Sequence, residues 1–456
     1  MLKHTNWKAA VTALLLGVMA AIYIGKLPPA IPVLRAEFHL SLGQSAWMVS
    51  MFNTLGVVAS IFMGLIAARA GAWRLCVTGC VAMLLGAIAG MFASGSDASG
   101  ATLLLASRFL EGVGFLCIVV AAPGLLMLAT VDADRKRVFS FWGAYMPTGT
   151  TLGMLLAPLL IAAHGWRALW GVTALFALAA IALLWLRRRD YAAASGVAAS
   201  VSPSGLAAVT ASTTVSGATA DATSRAAAPA NLSTAASWRT SAAPLGKAGP
   251  WWISLAFGCY AFNFYAIMVW LPTFMVGERQ TPLLTASLLT ALMVAVNIPG
   301  NLLGGVLMQR GVARGTNICI AGVATAITAA VIFSPALPDT LRYLACVAFS
   351  FGVGVLPGSV MSAVQIHASG PAQVGTVQGM INQGSNMGQF VSPLLVTAIV
   401  GGTVGNSVAS AAASTQGGAL AWNNMLWLLL ATSAIIVVSG LMVRHVERRM
   451  SGGAAR

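Results

Sequence analysis

Three charged side chains lie inside long apolar stretches of the chain, where charge is costly. Lys26 lies in the first stretch, three positions after Tyr23, and Arg108 and Glu111 lie three positions apart in a later one. Residues at this spacing share a helix face, and a charge at the centre of a membrane helix costs about 2.5 to 3.5 kcal/mol on an insertion scale. The pattern predicts a buried site where these faces meet and bind a charged ligand. The alternatives are a structural ion pair of Arg108 with Glu111, and a Lys26 side chain that extends to the membrane surface.

A second polar feature is a row of amide side chains late in the chain. Gln378, Asn382, Asn386 and Gln389 follow one another at spacings of four, four and three, so they line one face of a helix. Amides are costly to leave unpaired in lipid, and this face must therefore look into protein or water. For any one amide the alternative is a hydrogen bond between helices. The remaining residues predicted to line the same substrate cavity are Asn53, Tyr260, Asn263, Trp270, Asn297 and Asn301.

The elements that carry these residues are predicted to be membrane-spanning helices. The chain has 456 residues, of which 58% are apolar and 8% charged, a composition that excludes an ordinary soluble enzyme. Apolar runs long enough to cross about 30 Å of hydrocarbon as helices give an all-α integral membrane protein with twelve transmembrane helices. They are predicted at 8–33, 43–67, 74–94, 101–129, 138–162, 167–186, 251–275, 283–308, 315–334, 340–366, 374–401 and 422–443.

The two halves of the chain repeat one pattern. The segment 149–160, with glycine at its first and fifth positions, proline at its tenth and then two leucines, recurs as 384–395. Repeated membrane-spanning halves are typical of transporters. The predicted domains are a six-helix bundle at 1–190, a flexible cytoplasmic linker at 191–250, and a second, pseudo-symmetric six-helix bundle at 251–456. The linker is rich in Ala, Ser, Thr, Gly and Pro, which cannot bury enough surface to order it.

The net charge of +15 is distributed by topology. Basic clusters at 135–137 and 187–189 fall in loops on one side of the predicted spans, whereas the opposite loops hold little beyond Arg35, Arg167 and Arg279. Positive residues concentrate on the cytoplasmic side, so both termini are predicted to be cytoplasmic. A nucleic-acid partner is not expected, because a basic face for nucleic acid would be contiguous.

One loop motif resembles the signature of the major facilitator superfamily. It is the stretch GLIAARAGAWRL at 64–75, in which Ala68 stands where the family has an acidic residue. The resemblance implies a gating loop after the second helix and a weaker copy in the second half. The matching residues are Gly64, Arg69, Gly71 and Arg74, with Gly304 and Gly311 in the second copy.

Other motifs extend this resemblance over the whole chain except the linker and tails. RFLEGVG at 108–114 resembles the fourth-helix signature of the superfamily, and GWR at 165–167 resembles the loop before its sixth helix. Lys26 followed by prolines, together with GSNMG at 384–388, resembles the cyanate- and nitrate-type anion carriers. The family resemblance implies a secondary active transporter of the plasma membrane, the bacterial inner membrane, that works by alternating access.

The charge count favours an anionic solute. Lys26 and Arg108 outnumber Glu111 and leave one excess positive charge. Glu111 is the one carboxylate deep within a predicted span, so it is the predicted proton-coupling residue: once substrate engages its arginine, the carboxylate can take up a proton. The expected partners are a small-molecule substrate, the lipid bilayer and protons, with the chain acting as a monomer.

Two other functional classes are alternatives to an anion transporter. A proton-coupled drug or metabolite exporter of the same superfamily requires a fifth-helix signature that the sequence at 146–150 does not match. A transport-inactive membrane sensor remains an alternative. Enzyme activity is not expected, because the five histidines are scattered and the chain has no nucleophile elbow, HExxH motif or phosphate loop. No cofactor and no metal is expected, since no cysteine lies near a histidine or carboxylate at a zinc-like spacing.

Overall fold

A computed structural model of the chain describes residues 4–94, 98–192, 242–368, 371–405 and 422–453. Regular structure within these ranges is helical, apart from turns and short loops. A single turn of 3₁₀ helix at Ala243–Gly246 precedes the second half. The α-helices are α1 (Trp7–Gly25), α2 (Leu27–Phe38), α3 (Leu42–Met51), α4 (Thr54–Ala70), α5 (Ala72–Met91), α6 (Ala98–Ala129), α7 (Asp132–Gly143), α8 (Tyr145–His164), α9 (Trp166–Leu186), α10 (Ala248–Gly277), α11 (Leu283–Gln309), α12 (Arg314–Ile332), α13 (Asp339–Met361), α14 (Val364–His367), α15 (Pro371–Gly405) and α16 (Met425–Gly453).

The predicted all-α membrane fold is confirmed. Among the described residues, eleven segments are long and apolar enough to cross a membrane, with α1 and α2 joined as one segment and α3 joined to most of α4. The amide-rich α15 is also long enough, since its 35 residues extend over about 50 Å at 1.5 Å per residue. Helices α1 to α9 form the N-terminal half and α10 to α16 the C-terminal half.

The structure places two predicted boundaries differently, the start of the fifth span and the ends of the linker. The fifth span begins at Tyr145 and not at the predicted residue 138, because the charged sequence at 132–137 belongs to the separate helix α7. Most of the predicted linker, residues 193–241, lies outside the described residues. Its predicted ends fall within regular structure, since Tyr191 is helical and α10 already begins at Ala248.

The first two membrane spans are both interrupted. Pro28 and Pro29 have no backbone N–H, so the helical hydrogen-bond ladder is broken after Gly25 and restarts as α2, where proline is tolerated in the first turn. Lys26 lies at this junction, and its own N–H bonds to the carbonyl of Ile22 at 2.9 Å. The second span breaks at Phe52 and Asn53, between α3 and α4. Each break places a polar side chain in the interior of its half.

The repeated glycines give the two halves one packing mode. A Cβ at Gly149 or Gly153 of α8 would collide with backbone carbonyls of α1, and a Cβ at Gly384 or Gly388 of α15 would collide with those of α10. Small residues allow helix backbones to approach closely. The repeated sequence motif therefore encodes the same close contact twice, between the first and fifth spans and between the seventh and eleventh.

The two halves contact each other along α3, α4 and α15. Ser50 Oγ donates to the carbonyl of Phe390 at 2.7 Å, and Asn386 Nδ2 donates to Ser60 Oγ at 3.1 Å. Gly56 lies against the Asn386 side chain, where a Cβ would not fit. Ser50 and Ser60 lie on either side of Asn53 along the second span, so the halves are hydrogen-bonded to each other on both sides of that residue.

Candidate functional site

The centre of the N-terminal half holds a buried triad of charged side chains. Glu111 Oε1 lies 2.7 Å from Lys26 Nζ, and Glu111 Oε2 accepts a hydrogen bond from Arg108. Lys26 and Glu111 have no exposed surface, and Arg108 is 2% exposed. The alternative in which Lys26 extends to the membrane surface is therefore wrong. One carboxylate holds two cations, and the triad retains one net positive charge.

Aromatic and hydroxyl groups fix the position of Lys26. Its Nζ lies 4.4 Å from the ring centre of Tyr23 and 4.3 Å from that of Trp170, distances at which a cation is attracted to an aromatic face. It also donates to Thr173 Oγ1 at 3.1 Å. Tyr23 in turn donates its hydroxyl to the carbonyl of Thr173 at 2.6 Å. The ammonium group is thus held between α1 and α9 as well as by Glu111.

Arg108 is held on two sides and is unpaired on a third. It donates to the carbonyl of Tyr23 at 3.1 Å, and its guanidinium carbon lies 4.6 Å from the ring centre of Phe52. Arg108 Nε has no hydrogen-bond partner among the described residues. A buried donor without a partner costs about 1 to 3 kcal/mol, so an acceptor atom that reached this nitrogen would relieve that cost.

A small cavity joins Arg108 to the C-terminal half. It is lined by Arg108 and Asn53 from the N-terminal half and by Tyr265, Met268 and Val269 from α10. Asn53 Oδ1 and the Tyr265 hydroxyl also have no partner within the described part of the chain. The cavity has a free volume of about 10 Å³, space for about one water molecule. Three of the residues that line this space between the halves therefore each carry a polar atom with unused hydrogen-bonding capacity.

The C-terminal half contributes amides and no charge to this region among the residues described. Asn297 donates to the carbonyl of Ser350 at 2.9 Å and accepts from Asn301 at 2.9 Å. Tyr260 donates to Asn297 at 3.5 Å and stacks between two phenylalanine rings of α10. These predicted cavity residues form one connected group, which packs α10 and α11 against α13.

The amide row on α15 pairs mostly along its own helix. Asn386 donates to the Asn382 carbonyl at 2.8 Å, and Gln389 donates to Ser385 at 3.0 Å. Within the described part of the chain, its one hydrogen bond to the other half joins Asn386 to Ser60. The row therefore faces protein, as expected, and it forms part of the contact between the halves.

Two of the predicted lining residues lie away from the triad. Asn263 is fully buried and accepts a hydrogen bond from Thr432 of α16 at 2.7 Å. Trp270 packs near Trp422, with ring centres 6.5 Å apart, inside the C-terminal half. Both project from the side of α10 opposite to Tyr265, because residues on a helix that are two or five apart occupy different faces.

The predicted gating loops contain two glycines with backbone conformations that favour glycine. Gly71 has φ of +84° at the start of α5, and Gly311 has φ of +85° after α11. A Cβ at Gly304 would collide with the backbone of Val355, so this glycine permits close packing of α11 on α13. Of the other residues predicted for the first loop, Arg74 is exposed. The surroundings of Gly64 and the side chain of Arg69 lie outside the described part of the structure.

Sequence reasoning missed four residues that complete the site: Phe52, Trp170, Thr173 and Tyr265. Thr173 is a polar residue within an apolar stretch of α9, three positions after Trp170, a signal equal in spacing to that of Tyr23 and Lys26. Tyr265 follows the predicted Tyr260 on the same helix. Nothing in the sequence distinguishes Phe52 from other core phenylalanines.

Comparison with known proteins agrees with this architecture. The profile described as Major Facilitator Superfamily matches residues 12–393, and the chain belongs to this family. The probable sulfoacetate transporter SauU of Cupriavidus necator is 24% identical over 84% of this chain and 86% of its own length. The arabinose-proton symporter of Escherichia coli is 25% identical over 40% of this chain and 38% of its own.

Further similarities are shorter or are structural. The multidrug resistance protein MdtL of E. coli is 28% identical over 34% of this chain and 38% of its own length. Among solved structures, a bacterial homologue of the human lysosomal transporter Spinster, in an inward-facing and unoccupied conformation, superposes with a TM-score of 0.68. That match has 15% sequence identity and covers 96% of this chain and 98% of the other. The protein is a multi-pass membrane transporter of the major facilitator superfamily.

The triad makes a prediction for stability. Glu111→Gln leaves Lys26 and Arg108 buried without a counter-charge, so the free energy of unfolding should fall by about 3 to 5 kcal/mol. Glu37→Gln is the matched control, because Glu37 is 38% exposed in its pair with Arg167 and such pairs contribute about 0 to 1 kcal/mol. The amide oxygen of this variant can still accept the Trp166 indole N–H that Glu37 accepts. The measurement is the thermal unfolding midpoint of each purified variant in the same detergent. Equal midpoints would show that the triad contributes little to stability.

Proposed function

We propose that the protein is a secondary active transporter that moves a small organic anion across the bacterial inner membrane by alternating access. The observation that supports this is the triad, in which two buried cations share one carboxylate. An anion that reaches Arg108 from the cavity competes with Glu111 for the same cations. A charge-assisted hydrogen bond from an arginine is about twice as strong as a neutral one.

The size of the cavity fits a carrier that must move to load. A space for about one water molecule is too small for an organic anion, so binding requires the two halves to separate. Separation on one side at a time, by rocking of one bundle against the other, is the mechanism expected for repeated helical halves. Ser50 and Ser60, whose bonds to α15 lie on either side of Asn53, are placed to open in turn.

The relatives support an organic anion over a drug. SauU, which aligns with most of this chain, is described as a probable transporter of sulfoacetate, a molecule with a carboxylate and a sulfonate. The matches to the arabinose symporter and to MdtL cover less than half of the chain. The exporter alternative has no comparable support, whereas an anion accounts for the excess positive charge.

We further propose that Glu111 couples transport to protons. Both of its carboxylate oxygens are occupied by cations, so an anion that draws away Arg108 and Lys26 leaves it with no counter-charge. A carboxylate in that situation within low dielectric takes up a proton. Proton uptake at Glu111 would then accompany substrate binding, and the proton gradient would drive accumulation. The arabinose-proton symporter match is in agreement with such coupling.

The first prediction for transport concerns affinity. An anion ligand is first selected by thermal shift from a panel that includes sulfoacetate, because a ligand that binds only the folded state raises its stability. Lys26→Gln and Arg108→Gln should each weaken its binding by about ten- to a hundredfold, since each loses an interaction of about 1.5 to 3 kcal/mol. Arg167→Gln, a partly exposed arginine, is the control and should bind normally. Unchanged affinity in both folded variants would contradict the anion assignment and favour the exporter.

The second prediction concerns coupling. Glu111→Gln should abolish uptake driven by a pH gradient in proteoliposomes while exchange of labelled for unlabelled substrate continues, because the neutral amide resembles the protonated carboxyl group. The anion should also raise the unfolding temperature of this variant more than that of the wild type, since it supplies the missing negative charge. Rates are normalised to folded carrier, with Glu37→Gln as control. Gradient-driven uptake that persists in Glu111→Gln would exclude the residue from coupling.

We also propose that both termini and the segment 191–250 face the cytoplasm, on the basis of the Lys and Arg bias among loops. Green fluorescent protein fused after Arg456 or after residue 220 should fluoresce, and alkaline phosphatase at the same positions should be inactive, because it matures only outside the cytoplasm. Active phosphatase after residue 220 would overturn this topology. A fusion after Arg279, in a loop predicted to be periplasmic, is the control with the opposite expected result.

A further inference from the structure

A second pocket lies inside the C-terminal half, behind the face of α10 that borders the central cavity. Its free volume is about 110 Å³. It is lined by the last turns of α10, the end of α12, the first turns of α13, and the start of α16 with the preceding Trp422. Its wall is aromatic: Trp422 lies 5.7 Å from Phe274, edge to face, and 6.5 Å from Trp270, with Phe333 and Tyr343 completing the wall. No residue of the charged triad lines it.

The pocket has a charged end and a buried end. Arg279, Asp339 and Arg342 line the first, and two of them are well exposed, at 38% for Arg279 and 62% for Asp339. Asp339 lies 3.0 Å from Arg279 and 3.5 Å from Arg342, so two cations again share one carboxylate. The net charge at this end is positive, which complements an anionic group.

Trp270 lines the buried end of the pocket and carries a polar atom without a partner. Trp270 is 1% exposed, and its indole Nε1 has no hydrogen-bond acceptor among the described residues. Leaving a buried N–H unpaired is costly, and buried tryptophans usually pair this group. An occupant that carries an oxygen on its apolar body would satisfy it.

The volume and the wall define the body of that occupant. An apolar cavity of about 150 Å³ accommodates benzene, and a pocket of 110 Å³ that is open at its charged end is of the same order. Aromatic walls favour an aromatic ring, which packs edge to face against its neighbours. The charged end then leaves the carboxylate of the ligand at the surface beside Arg279.

We propose that this pocket is a second ligand site, separate from the transport site, for a small hydroxylated aromatic monocarboxylate. The ring lies among Trp270, Phe274 and Trp422, the carboxylate pairs with Arg279, and the ring hydroxyl accepts the Trp270 N–H. Because Tyr265 and Met268 on the opposite face of α10 border the central cavity, the occupant presses on the helix that closes the transport site.

The test uses 4-hydroxyphenylacetate as the probe and phenylacetate as its analogue without the hydroxyl group, each titrated calorimetrically into the purified full-length protein. The first should bind with one-to-one stoichiometry and about two- to tenfold more tightly than the second, the range expected for one hydrogen bond. Trp270→Phe should remove this difference. Arg279→Gln should weaken both by up to about fivefold, the range expected for a partly exposed ion pair.

Matched variants separate this site from the transport site and from misfolding. Cys346→Met fills the pocket from its buried wall and should abolish binding, while Arg188→Gln, an exposed arginine at the other end of the molecule, should change nothing. Lys26→Gln should retain binding of the probe, so failure of the transport proposal would leave this one intact. Absence of binding to the wild type, or binding that Arg279→Gln and Cys346→Met leave unchanged while Lys26→Gln removes it, would overturn the proposal.

Discussion

Glu111 holds two cations in the interior of the N-terminal half, and much of that half is arranged around this interaction. A buried charge that loses its partner costs several kcal/mol, so the three groups have to be brought together by helices that are distant in sequence. The break after Gly25 turns Lys26 inward, Gly112 allows α3 to approach α6 closely at Phe52, and Thr173 and Trp170 hold the lysine from α9. Each of these contacts is separately required to place the two cations beside the carboxylate of Glu111.

The two halves share a packing scheme and differ in chemistry. Repeated glycines bring α8 onto α1 and α15 onto α10 in the same way, as the internal repeat predicts. Where the first half has the triad, the second has amides on α11 and α15 that bond to one another and to backbone carbonyls. One half therefore carries the buried charges, and the other presents neutral, hydrogen-bonding side chains in the corresponding region.

Much of this architecture was predictable because lipid imposes strong rules. The apolar runs and the repeat predicted the helices and the two halves, and the cost of charge in lipid directed attention to Lys26, Arg108 and Glu111. The start of the fifth span was missed because the second half of α7, from Val138 to Gly143, is mostly apolar and continues toward the span without a charged residue. The sequence shows which residues can form hydrogen bonds, but it does not show which way each side chain of a fully buried helix points. Asn263 and Trp270 were therefore assigned to the central cavity. Tyr265 was missed for the same reason.

The uneven charge of the triad has an electrical consequence. With Glu111 ionised, the empty site carries one positive charge. Under the proposed coupling, a dianion such as sulfoacetate binds together with one proton on Glu111, and the two cancel this charge. The loaded site then crosses the membrane without moving net charge, whereas the empty site moves one elementary charge through the field, a difference of about 2.3 kcal/mol per 100 mV. A membrane potential that is negative inside attracts the empty site toward the cytoplasm. Voltage would therefore act on the return of the unloaded carrier and leave the loaded step unaffected.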